Sequence, residues 1–155
     1  MELEKHLVLN KYFLNLFGFD NFNKLREKLK DTQEGYDSTG RSYFVDVLIG
    51  LKPEWEGELL RYDLAIREYV EKLKQNRKDI NFKLKYFQYL AVLFTEIFLD
   101  KYYNDKQRFL NELNAFLEEF RNNKTQITPF TEEDLKKLAF WMATGSGKTL
   151  IMHIN

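Results

Sequence analysis

The chain has 155 residues, of which 44% are apolar, 16% aromatic and 31% charged, with no cysteine and a formal net charge of zero. That length carries one hydrophobic core of ordinary size. The lack of cysteine excludes disulfides and thiolate metal sites and fits an intracellular, cytoplasmic protein, and the charge balance leaves no global nucleic-acid footprint.

The start, MELEKHLVLN, places two glutamates before any apolar run, unlike a secretory signal. The longest nearly apolar run, YFQYLAVLF, is far below the roughly 18 residues of a membrane span, so no membrane partner is expected. Leu3, Leu7, Leu14 and Phe17 share one side of a first helix, with Gly18 as its stop. Phe22, Leu25 and Leu29 repeat the spacing in a short second helix. Residues 31–40, DTQEGYDSTG, read as a loop. RSYFVDVLIG reads equally as helix or strand because it is β-branched and aromatic.

After the break LKPEWEG, Leu59, Tyr62, Ile66, Tyr69 and Leu73 define a long helix whose basic end, KLKQNRK, suits a helix C-terminus. The segment INFKLKYFQYLAVLFTEIFLDKYY is apolar on nearly every side, as in a helix buried among several neighbours. Its narrow polar stripe holds Asn81, Lys85, Gln88 and Thr95, with Glu96 beside it. Gln88 and Glu96 therefore need partners in the fold, since an unpaired buried polar group is costly. Tyr102 and Tyr103 can stack on bases or pack at the core rim. Phe109, Leu110, Leu113, Phe116, Leu117 and Phe120 mark a regular amphipathic helix. RNNKTQITP follows as a linker, giving a helical domain over 1–121, a linker over 122–130 and a second unit over 131–155.

In that last unit TEEDLKK reads as a helix start, with Thr131 and Asp134 spaced as in a capping box. LAFWMA reads as a strand buried on both faces, and TGSGKT follows it directly. Strand, glycine loop and helix are the context of a phosphate-binding loop. Gly145 and Gly147 let the backbone close on an anion; the amides of Ser146, Lys148 and Thr149 can point at it. Lys148 would reach the β- and γ-phosphates of ATP, and the Thr149 hydroxyl would ligate Mg²⁺. Thr144 opens the loop. His6 and His153 are too few and too far apart for a metal site of their own.

MATGSGKT, residues 142–149, resembles the first motif of superfamily 2 helicases, most closely the DEAD/DEAH-like motor subunits of type III restriction enzymes. LKYFQYLAVLFTEIFLD and TEEDLKKLAFWMATGSGKTLIMHIN extend the resemblance over about residues 80–155. Met142 departs from the glycine or alanine of the full pattern. The resemblance implies a mainly α chain: a helical N-terminal domain, then the truncated start of a RecA-like α/β motor lobe. It also implies ATP and Mg²⁺ as cofactors, duplex DNA as the track, a modification or specificity subunit as a further partner, and Gln126 as an adenine-reading residue. The acidic motif, coupling motif and second-lobe arginine of such a motor would lie beyond Asn155. This chain is thus expected to be the N-terminal piece of a larger ATP-dependent DNA enzyme, with no catalytic residue of its own and no hydrolysis. The alternative is a helical interaction or subunit-docking module whose loop is never used for catalysis.

Overall fold

The computed structural model describes residues 7–120, 128–139 and 145–154. Among these the protein is mainly helical and has no strand; the sole β pairing is an isolated antiparallel bridge between Tyr36 and Ser42. The helices are α1 (Val8–Leu16), α2 (Phe22–Leu29), α3 (Tyr43–Leu51), α4 (Glu56–Arg77), α5 (Tyr86–Phe120) and α6 (Lys148–Ile154).

Their ends follow from identifiable side chains. α1 closes through Gly18 N–H on Asn15 O and Phe19 N–H on Leu14 O, a paired closure that satisfies two terminal carbonyls. Asn21 caps α2 by accepting from Lys24 N–H. The ambiguous segment RSYFVDVLIG is helical because Ser42 Oγ accepts from both Phe44 and Val45 N–H, at 3.0 and 3.4 Å. A capped N-terminus with Asp46 in the first turn outweighs the local β preference of Tyr43, Phe44 and Val45. α4 carries Lys74 and Arg77 in its last turn, where cations oppose the negative end of the helix dipole.

α5 is not straight. Asp105 lies at φ −155°, ψ 77°, outside helical geometry, and its carboxylate accepts from Arg108 N–H, starting the helix afresh. A continuous helix separates residues eleven apart by about 16 Å. Here the Phe98 and Phe109 ring centroids are 5.3 Å apart and Lys101 Nζ lies 2.7 Å from Glu112. The chain therefore turns sharply, and residues 106–120 pack against residues 86–104. α1 sits in the angle: Phe13 stacks on Phe94, while Tyr12 meets Phe109 and Phe116.

One apolar cluster runs through the bundle and includes Leu14, Leu25, Leu48, Leu59, Ile66 and Leu93. Four tyrosine–carboxylate hydrogen bonds tie helix to helix within and around it: Tyr12 to Glu112, Tyr62 to Asp100, Tyr69 to Glu96 and Tyr89 to Asp63. Asp63, on α4, is 2% exposed and accepts from Tyr89 on α5 at 2.6 Å and from Ser42 N–H at 2.9 Å. It thus joins α4, α5 and the cap of α3. Burial pushes its carboxyl above the usual carboxylate range, against the pull of those two donors.

Residues 128–139 run beside α5. Asn114 grips the Phe130 backbone with both ends of its carboxamide, at 2.7 and 3.0 Å, and Lys106 pairs with Glu132 at 2.6 Å. The helix expected from Thr131 is only a 3-10 turn, Asp134–Lys136. Half of the expected capping box forms, with Asp134 accepting from Thr131 N–H and Oγ1 at 2.8 Å. The helix does not propagate because Phe130 is tied to α5, Leu135 is buried, and Lys137 is already extended at φ −121°, ψ 116°. Of the strand expected over 138–143, Leu138 and Ala139 are irregular and the rest lies outside the described residues, as do Leu3 and His6.

Candidate functional site

The glycine loop leads directly into α6. Gly145 and Gly147 lie at φ +77° and +89°, a region in which any side chain is strained, and they bracket Ser146. Ile151 N–H bonds to Gly147 O at 3.1 Å, which makes Gly147 the cap of α6. The amides of the first turn have no partner within their own helix. Lys148 and Thr149 are exposed, and a Cβ on Gly145 would meet nothing within 4 Å, so this side of the loop opens to solvent.

The other side is seated on the bundle. Leu150 and Ile151 are buried in the main apolar cluster, while Met152 points outward at 68% exposure. Gln88, in the first turn of α5, accepts from Lys85 N–H at 2.9 Å and donates to Ser146 O at 3.0 Å. The polar stripe that needed partners therefore has them: Gln88 on the glycine loop, Glu96 on the Tyr69 hydroxyl at 3.0 Å, and Thr95 on the Ala91 carbonyl at 2.8 Å. The spacing of the stripe requires a partner for Gln88, but no local pattern names one 58 residues away.

The structure brings Gly145, Ser146, Gly147, Lys148 and Thr149 together at the entry to α6. Thr144 and Gln126 lie outside the described residues. The exposed Thr149 hydroxyl and Lys148 ammonium are of the types that ligate Mg²⁺ and neutralise a phosphate. Among the described residues no group of three or more His, Cys, Asp or Glu could hold a metal ion on protein ligands alone. Mg²⁺ at Thr149 would therefore take most of its ligands from phosphate and water. No helix among the described residues is long and apolar enough to cross a membrane.

A second concavity lies at the turn of α5, an open cleft of about 320 Å³ lined by Tyr62, Asp100, Lys101, Arg108, Phe109 and Glu112 among others. Its carboxylates Asp100 and Glu112 are paired. Asp100 takes Arg61 at 2.8 and 3.2 Å, Tyr62 at 2.6 Å and Asn104 at 2.7 Å. Glu112 takes Lys101, Tyr12 and Arg108. No buried side-chain polar atom among the described residues is left without a partner. Nearby, Tyr102 stacks on Phe98 with planes 7° apart, whereas Tyr103 is 78% exposed.

These two partly buried carboxylates contribute to the acid sensitivity of the fold. The Arg61 guanidinium holds the Asp100 carboxyl below its ordinary range. Burial alone would raise Glu112, but Lys101, Tyr12 and Arg108 together bring it below. A depressed folded pKa contributes stability above the unfolded pKa and loses it as pH falls through the folded value. We expect the midpoint of thermal unfolding to fall steadily as pH drops from about 5 to about 3. Asp100→Asn should flatten that dependence, and a variant that keeps the full wild-type slope would remove Asp100 from the account.

Comparison with family models, with curated proteins and with solved structures finds no match to this chain.

Proposed function

We propose that residues 145–149 form the phosphate-binding loop of an ATP-dependent DNA helicase or translocase, similar to the motor subunits of type III restriction enzymes, and that the bundle is its helical N-terminal domain. One observation carries this reading: two left-handed glycines bracket Ser146 directly before a helix whose first residues, Lys148 and Thr149, are exposed. Backbone amides in that setting suit an anion, Lys148 would neutralise the β- and γ-phosphates, and Thr149 would ligate Mg²⁺. Bound ATP would supply the phosphoryl group whose hydrolysis drives movement along duplex DNA. The expected modification or specificity subunit remains part of this proposal.

The test is titration of Mg-ATP onto the chain, followed through the amide signals of Gly145, Gly147 and Thr149. Saturable shifts with a Kd on the order of 1 mM are expected, lost in Lys148→Ala and without hydrolysis. Silence at all three amides would sink the nucleotide reading. The motor reading is tested separately by the coding sequence beyond Asn155, where an in-frame acidic Mg²⁺ motif such as D-E-x-H is expected.

A second reading draws support from the burial of Leu150 and Ile151 in the bundle. On that reading the loop is a packing element of a helical docking module. Mg-ATP then shifts nothing, and Lys148→Ala behaves as wild type.

A further inference from the structure

The Gln88 carboxamide is committed at both ends, its oxygen to Lys85 N–H and its nitrogen to the Ser146 carbonyl. That fixes its plane, and with it the orientation of the peptide joining Ser146 to Gly147. The Ser146 carbonyl faces α5; in a trans peptide the Gly147 N–H then points the opposite way, away from Gln88. A Cβ on Gly147 would stand 2.7 Å from Gln88 Nε2, so this contact needs glycine for its closeness as well as for its φ of +89°. Beyond it, buried Leu150 and Ile151 anchor α6 to the same bundle.

We propose that Gln88 is a positioning residue that couples the glycine loop to the N-terminus of α5. It holds the Ser146 carbonyl toward the bundle, which leaves the Gly147 amide facing the phosphate side, and it makes the order of the loop depend on the first turn of α5. The phosphate half of this inference rests on the nucleotide reading above; the mechanical half does not. Coupling of this kind is reciprocal. A phosphate ligand that tightens the loop also tightens the first turn of α5, where Tyr89 N–H bonds to Lys85 O at 2.9 Å. Gln88→Glu isolates the link. It keeps an acceptor for Lys85 N–H but has no N–H for Ser146, and it sets a negative charge against a carbonyl oxygen.

Amide hydrogen exchange on the full chain decides the matter, comparing wild type, Gln88→Glu and Gln88→Ala with and without Mg-ATP. Without nucleotide, exchange at Ile151 should rise about fivefold in both variants, as for loss of one hydrogen bond. Amides within α3 and α4 should be unaffected, which shows that the variants are folded. In wild type, Mg-ATP should slow exchange at Ile151 and Tyr89 together; in Gln88→Glu the protection of Tyr89 should vanish. Unchanged exchange at Ile151 in both variants overturns the proposal, as does Tyr89 protection that persists in Gln88→Glu. If Mg-ATP protects no amide in any form, the nucleotide reading fails instead. The clamp then stands on faster exchange at Ile151 in the variants and falls without it.

Discussion

Asp63→Ala is expected to lower the unfolding free energy by about 3 kcal/mol, read from urea melts at neutral pH. The carboxylate is 2% exposed and is the acceptor for Ser42 N–H and the Tyr89 hydroxyl. Alanine leaves two buried donors without a partner, each costing on the order of 1–3 kcal/mol. The relief of no longer burying a charge offsets part of this, because burial already raises the Asp63 pKa. Asp63→Asn should cost less, since its carbonyl can still accept from Ser42 N–H. The pH dependence runs opposite to that of Asp100 and Glu112. With a folded pKa above the unfolded one, the relative stability Asp63 contributes is full below the unfolded value and declines as pH rises through the folded value. A loss in Asp63→Ala below about 1 kcal/mol would mean that water replaces the carboxylate, and the network would have no hold on the fold.

Phe109→Ala is expected to cost about 4 kcal/mol, the middle of the range for a fully buried aromatic. Phe109 is 1% exposed and lies where three pieces of backbone meet. Its ring is edge-on to Phe98 at 5.3 Å and tilted against Tyr12 at 6.0 Å, so it welds both arms of α5 to α1. The neighbours are held by the Tyr12–Glu112 and Lys101–Glu112 contacts and cannot collapse into the void. Against a total stability of about 5–15 kcal/mol for a domain, that loss leaves the fold marginal. Phe109→Leu should recover more than half of it by refilling the space. Equal melting curves for Phe109→Ala and wild type would show that the angle in α5 does not depend on this ring.

The helices were legible wherever apolar spacing stood alone. Leu59, Tyr62 and Ile66 lie on the buried face that their spacing implies, and Leu25 and Leu29 do the same for α2. The all-round apolar segment 80–103 is helical only from Tyr86, and it differs from the one-sided pattern after Phe109 because the two arms of α5 have different neighbours. α3 was undecided because its β-branched residues conceal the signal that settles it, the Ser42 cap. Asp63 falls on the same helical face as Leu59, Ile66 and Val70, but no local pattern names its partners, which are 21 and 26 residues away. Glycine permits the left-handed geometry of the loop without imposing it, since Gly50 and Gly57 are helical. The seat of the loop on Gln88 was not legible, since no local pattern links position 88 to position 146.

The sharp turn at Asp105 has a kinetic meaning. It contains neither glycine nor proline, and it is held by one carboxylate on Arg108 N–H and by an aromatic pair eleven residues apart. Closing a loop of about ten residues takes only about 10–100 ns. The Phe98–Phe109 contact can therefore form before anything distant in the chain has met. A hairpin of helices assembled from near neighbours offers a template onto which α1 and α4 dock later, and bundles dominated by such short-range contacts fold within microseconds to milliseconds. Removing the Phe109 ring should then retard refolding as well as hasten unfolding. In the terms of a chevron plot, both arms move, and the corner belongs to the folding nucleus.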